Sequence, residues 1–545
     1  MTVPPQNDTR RRRLVLAGLL AVTCLLGARG IGDESAVMLG GDMARYIMDA
    51  VFVRDFIADG GATNYEDLVR YAERYYARYP ALSLGHHPPV PYLSAVPFFW
   101  LFGITTFAAR AAALAWFVAA ALGLYAITKK LFNWQVAAWA AAMFVTNLVV
   151  LRAGQYLLSE MPMTALVLWS VHALLVFCER RRARQFIWFV GLVVASIYAK
   201  QLAVLMFPVY VAILVNALGW RTFVSKRALL AFSAGLVLLV PMAIMTVGLS
   251  PANFSIALSN STRLLTGHRD FAIRSLVGSI ISAHLTLPTI VVTAASIVLL
   301  VIRRRRQVLI GLVWVISVVV GSIVFAGATE PARYAFGAMP AYALLIAALA
   351  AEAHSPRTKA MAAVLLTATL WWQLWEIRGV RPSGAGGYEA AAQYVLEQNH
   401  EPAVMYSSYI DTGYFVFFTR KHDPARRQLV LRSDKILRWG SANPEQDRLE
   451  VRDWLKRLGI RWIVMESRPR AYDGRYALYV ELQGPRFAER RRFPVTSTAA
   501  PGLELIVYEY LDAQPADLDT QIKIDLPLGS RDFGIRLRDL VGSAR

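Results

Sequence analysis

The chain has 545 residues, of which 56% are hydrophobic and only 18% are charged. This composition is too apolar for one soluble protein of this length, and the apolar residues come in blocks long enough to span a bilayer. The formal net charge of +20 could indicate nucleic-acid binding, but the arginine clusters at 10–13, 180–184 and 303–306 lie between apolar blocks. Short cytoplasmic loops of membrane proteins retain Lys and Arg in this way. Composition therefore excludes a nucleic-acid-binding protein and predicts a polytopic α-helical membrane protein.

The two cysteines, Cys24 and Cys178, lie in or at the end of separate apolar runs. Neither a disulfide framework nor a Cys-based metal site is indicated. The chain is therefore expected to fold through its apolar blocks and not through covalent cross-links.

Apolar runs predict about eleven spans, the first of which we interpret as an uncleaved signal anchor rather than a signal peptide. The runs are 14–26, 106–128, 137–151, 163–177, 186–199, 202–218, 229–249, 287–302, 309–325, 334–351 and 361–375. If successive spans cross the membrane in alternating directions, every strongly basic short loop lies on one side, which is the cytoplasmic side. The N-terminus is then cytoplasmic, and the chain is expected in a bacterial inner (plasma) membrane as a multi-pass protein.

Residues 378–545 differ in character from the preceding chain. Their apolar runs have the length of strands, at 403–406, 414–418, 428–431, 462–465 and 503–510, and they alternate with polar helical stretches at 388–398 and 446–458. This pattern predicts a soluble, extracytoplasmic α/β domain. The remaining residues, 1–377, are predicted to form a transmembrane domain whose external loop, 31–90, contains interfacial helices.

Asp42 is the first candidate functional residue in that loop. Apolar residues follow it at helical spacing, so it is predicted to begin an amphipathic helix at the membrane surface. Capping that helix would explain its presence. Alternatively, its carboxylate could remove the proton of an acceptor hydroxyl just above the membrane. Asp33 and Glu34 are alternative acids for the same role.

The loop ends with His86 and His87, followed by two prolines. The prolines can simply stop an extended segment before the next helix. Two adjacent histidines could also donate hydrogen bonds to phosphate oxygens or bind a divalent metal. The sequence contains neither an HExxH nor a CxxC pattern, so a metal is not indicated by ligand spacing.

Glu160, Lys200 and Arg333 lie at span ends on the predicted outer side. Each has a plain explanation, since an acid can cap the next helix and cations can contact lipid headgroups. Together with Asp42 and the histidines, however, they gather both acids and cations on one face of the membrane. A lipid-linked sugar phosphate would need such a set, with cations on the phosphate and carboxylates beside the sugar.

Four motifs occur in a fixed order along the chain: Asp-Met-Ala-Arg-Tyr at 42–46, His-His-Pro-Pro at 86–89, Trp-Leu-Phe-Gly at 100–103 with Phe-Ala-Ala-Arg at 107–110, and Ser-Glu-Met-Pro at 159–162. This series resembles the membrane glycosyltransferases of the dolichyl-phosphate-mannose-protein mannosyltransferase type. The superfamily also contains the bacterial aminoarabinose transferases that modify lipid A. The resemblance covers roughly residues 14–350 and implies a GT-C-like fold.

The resemblance also implies roles for single residues. Asp42 and Tyr46 match an acidic residue that is taken as the catalytic base and a tyrosine that follows it. Glu160 matches the acid of a later Asp/Glu-Met-Pro motif. Two positions depart from the family pattern, because Met43 replaces a usual Glu and His87 stands where the family often has Lys.

On the same basis, Lys200 matches a lysine after the following helix, and Arg333 with Tyr334 matches an Arg-Tyr pair before a late span. Tyr46, His86, His87, Lys200, Arg333 and Tyr334 are thus expected to bind substrate. Since a phosphate leaves readily when cations neutralise it, Lys200, His87 and Arg333 are the candidates for that contact.

The implied reaction is an inverting transfer of a sugar from a polyprenyl-phosphate carrier to a hydroxyl of an extracytoplasmic lipid, glycan or protein. Asp42 would act as general base, with Glu160 orienting or assisting. No cofactor is indicated with certainty, and a divalent metal is an alternative. A transporter or flippase of lipid-linked sugars is the main alternative, because many spans and charges near their ends suit a carrier too. In a third interpretation the membrane part only anchors the C-terminal domain.

Overall fold

The computed structural model describes residues 6–541 except for 36, 39–40, 250–273, 275–276, 279, 281–285, 304–305, 327–330, 381–383, 385, 437–443, 468–474, 498–499 and 526–531. The chain forms two compact units. The first contains Met1–Arg29, Gly85–Pro91 and Arg110–Val380, and the second contains Gly30–Leu84, Tyr92–Ala109 and Arg381–Arg545.

The first unit is helical throughout its described part. Its helices are α1 (Gln6–Gly27), most of α5 (Thr106–Leu131), α6 (Trp134–Val145), α7 (Leu148–Gln155), α8 (Glu160–Arg180), α9 (Ala183–Ala199), α10 (Phe207–Leu218), α11 (Lys226–Leu249), α12 (Leu287–Ile302), α13 (Arg306–Ala326), α14 (Pro331–Tyr334), α15 (Met339–Ala348) and α16 (Pro356–Ile377). Short 3₁₀ segments at Gln201–Met206, Trp220–Val224, Ala335–Ala338 and Leu349–Ala351 join or extend them.

Each of the eleven apolar runs predicted from the sequence is helical. Within the described residues, five helices are long and apolar enough to cross a membrane, and α6 with α7 forms a further candidate that is bent by 70°. Asn147 explains that bend locally, because its side chain accepts the N–H groups of Val149 and Val150 and starts a new helix. The other apolar helices are shorter. The helical segments are therefore confirmed, while the number of crossings stays a prediction.

Helix ends that the alternation assigns to the outer side lie together in this unit. The buried Arg110 on α5 donates from Nε to the carbonyl of Gln155 at 3.2 Å and also to the carbonyl of Arg29. Arg29 in turn donates to the carbonyl of Ile377, 2.7 Å away, at the end of α16. Guanidinium groups thus satisfy carbonyls that helices leave unpaired at their C-termini.

The opposite helix ends are also grouped by charge. Lys130 at the end of α5 is paired with Glu179 at the end of α8. Arg303 after α12 lies 3.7 Å from the carboxylate of Glu352, which follows α15. The predicted alternation placed all four residues near the cytoplasmic face. The grouping agrees with that alternation, and the orientation in a membrane remains a prediction.

The interior of the first unit consists of one large apolar cluster and, among the described residues, two small ones. Large side chains such as Phe117, Phe144, Trp314 and Phe336 are fully buried in the large cluster. Apolar helices in lipid gain little from the hydrophobic effect between them, so close packing of such side chains holds the bundle together.

The second unit combines part of the first external loop with the C-terminal region. Its helices are α2 (Met43–Ala58), α3 (Tyr65–Arg78), most of α4 (Pro89–Phe102), α17 (Gly386–Gln398), α18 (Tyr414–His422), α19 (Ser433–Ile436), α20 (Pro444–Arg457), α21 (Arg475–Leu482) and α22 (Leu537–Val541). Its strands are β1 (Ala403–Ser407), β2 (Leu429–Arg432), β3 (Trp462–Glu466), β4 (Phe487–Pro494), β5 (Glu504–Tyr510), β6 (Gln521–Asp525) and β7 (Asp532–Arg536).

Five strands form a mixed sheet in the order β2-β1-β3-β5-β4. Strand β1 pairs in parallel with β2 and β3, whereas β5 is antiparallel to both β3 and β4. Strands β6 and β7 form a separate antiparallel hairpin. The α/β character predicted for this region is confirmed.

One predicted strand is wrong. Residues 414–418, Tyr-Phe-Val-Phe-Phe, begin helix α18. An apolar run buried on every side has no periodicity that separates a strand from a helix. The side chain of Asp411 decides the outcome locally, because it accepts the N–H groups of Gly413 and Tyr414 at the start of the helix. Strand β4, whose middle residues are mostly exposed and charged, was not predicted.

The sequence placed loop 31–90 with the membrane domain, whereas the structure packs most of it with the C-terminal region. The reason is electrostatic. Arg420 of α18 donates two hydrogen bonds to the carboxylate of Asp55 on α2, at 2.9 and 3.0 Å, and both side chains are buried. Arg426 is paired with Asp59 a turn further along. Helix α2 is accordingly buried on most of its surface and does not present a single apolar face.

Candidate active site

Glu160 is the first residue of helix α8, directly after Ser159, which occupies the N-cap position. A carboxylate at a helix N-terminus is stabilised by the peptide dipoles. The hydroxyl of Ser159 donates to Oε2 of Glu160 at 3.3 Å, and the side chain is only 3% exposed. Glu160 is therefore not a solvated loop acid. Because its side chain is buried, the negative charge must be compensated by nearby groups.

Two cations from distant parts of the chain provide that compensation. Nζ of Lys200 lies 2.7 Å from Oε1 of Glu160, and Nε of Arg333 donates to the same oxygen. Lys200 occupies the turn between α9 and the following 3₁₀ segment, and Arg333 lies in α14. Among the described contacts, these two cations meet one carboxylate. The side chains of Lys200 and Arg333 remain 12% and 25% exposed.

An apolar cavity adjoins this ionic group. The ammonium of Lys200 lies 5.4 Å from the ring centroid of Tyr334, a favourable cation–π contact. Tyr334 also lines an apolar pocket, partly open to solvent, together with Met163, Leu205, Trp314 and Val318. Cations beside apolar walls suit a ligand that has a charged head and a hydrocarbon tail.

The two histidines lie in the same unit, before α4. Their rings are 4.8 Å apart at the centroids and tilted edge to face, and His87 is buried. Within the described residues, no three His, Cys, Asp or Glu side chains are grouped so that they could hold a metal ion. The metal alternative for the histidines stays a prediction that this arrangement does not support.

Asp42 and Tyr46 belong to the second unit. Asp42 is the N-cap residue of α2, as predicted, and its carbonyl accepts the N–H groups of Arg45 and Tyr46, each at 3.0 Å. Its carboxylate makes no capping hydrogen bond to the helix. Capping by that carboxylate therefore does not explain the residue. Glu160 belongs to the other unit. The sequence-based expectation that Glu160 assists Asp42 therefore stays a prediction.

The alternative acids have other partners. The exposed carboxylate of Asp33 accepts the N–H and hydroxyl of Ser35 in a local turn. Glu34 accepts the N–H of Thr106 at 3.0 Å at the start of α5 and is paired with Lys421 at 2.9 Å. Both contacts are structural.

Asp49 is an acid that the sequence analysis did not single out. It lies seven residues after Asp42, on the same face of α2 as Asp42 and Tyr46. It is completely buried, its Oδ1 accepts the N–H of Ser83 at 2.8 Å, and its Oδ2 has no hydrogen-bond partner in the described part of the chain. Periodicity alone would have shown only a polar residue on an apolar face.

Burial raises the pKa of Asp49 from an ordinary value of 3.8 to about 8, although the N–H of Ser83 and the charge of Arg45 act in the opposite direction. Tyr92 on α4 is a further titratable neighbour that interacts electrostatically with this carboxylate. Asp49 is therefore a neutral acid over most of the physiological pH range.

Residues 86–245 match the family model of dolichyl-phosphate-mannose-protein mannosyltransferase. The matched segment contains the two histidines, Glu160 and Lys200, but neither Asp42 nor Arg333. It is shorter than the stretch over which the motifs show a resemblance. A sequence comparison with curated proteins found no match.

Solved structures are similar over nearly the whole chain. ArnT from Cupriavidus metallidurans bound to undecaprenyl phosphate superposes with a TM-score of 0.57 at 15% identity, covering 94% of this chain and 100% of that one. Arabinofuranosyltransferase AftD from Mycobacteria gives 0.51 at 16% identity over 93% of this chain and 40% of that one. The Archaeoglobus fulgidus oligosaccharyltransferase in complex with Zn and sulfate gives 0.52 at 13% identity over 90% and 73%.

The chain has the GT-C fold. At these identities the structural likeness concerns the fold and not the substrates. The family match covers residues 86–245, which is less than half of the chain, and agrees there with the resemblance that the motifs show. The ionic group formed by Glu160, Lys200 and Arg333 is thus a candidate site in a GT-C protein.

The ionic group predicts a specific loss of stability. Glu160→Gln leaves Lys200 and Arg333 close together without the carboxylate that neutralises them, and breaking such a buried pair costs about 3–5 kcal/mol. We expect the thermal unfolding temperature of the purified protein in detergent to fall clearly. Glu179→Gln is the matched control, because Glu179 lies at the other end of α8 and is 62% exposed in its pair with Lys130. An equal, small effect of both substitutions would contradict the assignment of Glu160 as the buried charge on which the group depends.

The raised pKa of Asp49 predicts that the stability of the protein depends on pH. Because the pKa of Asp49 is raised in the folded protein, the folded protein retains a proton that the unfolded chain loses. The free energy of unfolding therefore decreases as the pH rises from about 4 to 8, by at most ~1.4 kcal/mol per pH unit. Asp49→Asn should remove this loss, and the variant should gain thermal stability relative to the wild type as pH increases. Asp67→Asn, on an exposed carboxylate whose pKa is lowered by Thr63 and Arg70, should show no such gain. Parallel pH profiles for wild type and Asp49→Asn would show that Asp49 is ionised in the folded protein.

Proposed function

We propose that this protein is an integral-membrane glycosyltransferase that moves a sugar from a polyprenyl-phosphate carrier to a hydroxyl group of an extracytoplasmic acceptor. One observation carries the proposal: Lys200 and Arg333, from segments far apart in the chain, meet at the buried carboxylate of Glu160 beside an apolar cavity. In a GT-C fold, such a site fits the phosphate head and the hydrocarbon tail of the carrier.

The ionic group suits a phosphate for electrostatic reasons. Glu160 holds the cations of Lys200 and Arg333 at one point. Preorganised cations stabilise charge that develops on a leaving phosphate and need not reorganise during the reaction. The bound undecaprenyl phosphate of the structurally similar ArnT supports the same class of carrier for this chain.

In the proposed step, the acceptor oxygen attacks the anomeric carbon of the sugar. A new bond forms between that carbon and the acceptor oxygen, while its bond to the phosphate oxygen breaks on the opposite face, so the configuration is inverted. The bonding electrons leave with the polyprenyl phosphate, which Lys200, Arg333 and His87 stabilise. Asp42 takes the proton of the attacking hydroxyl, and a positioned base of this kind contributes about 10²–10⁴-fold to the rate.

The position of Asp42 and the contacts of the alternative acids favour Asp42 as the base. It begins a helix whose N-terminus stabilises a carboxylate, and Asp33 and Glu34 are committed to structural contacts. Glu160 would orient Lys200 and Arg333 and is itself too well paired to accept a proton. Tyr46 and Tyr334 would line the sugar and carrier sites. The acceptor, whether lipid, glycan or protein, and the C-terminal domain would lie on the extracytoplasmic side of a bacterial inner membrane.

Binding of the carrier can be measured directly with undecaprenyl phosphate and the purified full-length protein. Lys200→Ala and Arg333→Ala should each weaken binding by about 10–100-fold, since a hydrogen bond to a charged group contributes roughly 1.5–3 kcal/mol. Lys130→Ala removes a similar Lys–Glu pair at the other end of α8 and should leave the affinity unchanged. Unchanged binding by folded Lys200→Ala and Arg333→Ala proteins would overturn the phosphate site.

Catalysis can be tested by mass spectrometry of envelope lipids and glycans from cells with the wild-type gene, without the gene, and with Asp42→Asn. The wild type should add one sugar residue to an acceptor, and Asp42→Asn should lose at least about 100-fold of this product while it still binds undecaprenyl phosphate. Asp33→Asn serves as the control and should retain the product. An active Asp42→Asn enzyme would move the base to Asp33 or Glu34, and a flippase would change no acceptor mass.

A further inference from the structure

The proposed base lies in the same compact unit as the C-terminal region, and helix α18 of that region contacts the chain around it. Tyr414, at the start of α18, donates from its hydroxyl to the carbonyl of Met38 at 3.0 Å. Met38 precedes Asp42 by four residues. Tyr414 is completely buried, so this contact holds the backbone carbonyl of Met38 in place.

The neighbouring residue holds the chain on the other side of Asp42. Gly413 lies so close to α2 that a Cβ atom added to it would be 2.5 Å from the Cβ of Ala44. Its φ of −125° is one that alanine adopts readily. Glycine is therefore required here by the close approach to Ala44 and not by backbone strain. Ala44 lies in the first turn of α2, two residues after Asp42.

The segment that presents Gly413 and Tyr414 is itself rigidly held. Glu466, at the end of β3, is fully buried and accepts the N–H groups of residues 409–411 at 2.7–3.1 Å. The hydroxyls of Tyr388 and Ser408 donate to the same carboxylate. Asp411 then caps the helix through the N–H groups of Gly413 and Tyr414. These bonds connect the sheet to the start of α18 without a mobile link.

The position of Glu466 also argues against a small-molecule site at this edge of the sheet. Ligands of α/β sheets usually bind beyond the carboxyl ends of the parallel strands, where backbone N–H groups point outward. Here the carboxylate of Glu466 already occupies the N–H groups of the loop that follows β1. The polar groups at this edge of the sheet hold the loop in place.

The contact continues along α18 by ion pairing. Arg420 binds both carboxylate oxygens of Asp55 near the end of α2, and the hydroxyl of Tyr75 donates to the same carboxylate at 2.8 Å. Lys421 is paired with Glu34 at 2.9 Å. Helix α18 and the residue before it therefore contact residues on both sides of Asp42 in the sequence.

We propose that Gly413 and Tyr414 of the C-terminal region are positioning residues for Asp42, and that the C-terminal domain serves transfer by holding the start of α2 in place. This inference rests on the proposed role of Asp42 as base. A displacement of about 1 Å in a reacting group can reduce a rate by about 100-fold. The domain would then be needed for turnover even though it contributes no reacting atom.

The test is a double-mutant cycle in the full-length protein. Gly413→Ala introduces the overlap with Ala44, and Gly413→Ala combined with Ala44→Gly removes it again. Gly32→Ala is the matched control, because no atom lies within 4 Å of a Cβ at that position in the same external segment. Two readouts are used: sugar-containing product by mass spectrometry, and hydrogen–deuterium exchange of the peptide that contains residues 38–48.

We expect Gly413→Ala to lose at least about 10-fold of the product and to exchange faster in residues 38–48, while binding of undecaprenyl phosphate is retained. The double variant should restore most of both signals, which a general loss of folding would not allow. Unchanged exchange in Gly413→Ala, or a loss of product that Ala44→Gly fails to rescue, would overturn the positioning role. If the wild type itself yields no product, the proposed function fails, and the exchange data still decide whether α18 holds this segment.

Discussion

One buried carboxylate organises the candidate site. Glu160 needs positive charge because it is almost completely buried, and it obtains that charge from Lys200 and Arg333, which the chain brings from different helices. The same requirement fixes the geometry of both cations. Two basic side chains in an apolar bundle would otherwise repel each other and turn toward water. One acid thus holds both bases at a single point.

A second set of ion pairs governs the external part of the molecule. Arg420 with Asp55, and Arg426 with Asp59, join helix α2 and the residue after it to helix α18 and the turn that follows, more than 350 residues later in the sequence. A loop of this length would usually be mobile unless it had packing partners of its own. Here the C-terminal region supplies those partners. The external loop and the C-terminal region therefore have to be understood as one folded body, although a membrane bundle separates them in the chain.

Much of this architecture could be predicted from the sequence, because span length and basic loops are strong signals. All eleven apolar runs are helical, and the helix ends assigned to each side group together. The motif resemblance also picked out Glu160, Lys200 and Arg333, which do meet. Their mutual pairing was not foreseen, since a single sequence shows which residues are charged but not which charges share a partner.

The failures have equally physical causes. The run at 414–418 is buried on all sides, so its pattern could not separate strand from helix, and the capping side chain of Asp411 decided for the helix. Asp49 gave no signal because one polar residue among apolar neighbours is common in packed helices. Its raised pKa depends on burial, which comes from tertiary packing that the sequence does not show.

The most direct test of the account is a cryo-electron microscopy structure of the full-length protein with undecaprenyl phosphate. The account predicts phosphate density within hydrogen-bonding distance, about 3 Å, of both Nζ of Lys200 and the guanidinium of Arg333, with the isoprenoid chain against Tyr334 and Trp314. Phosphate density elsewhere, with Lys200 and Arg333 still closed on Glu160 alone, would contradict it.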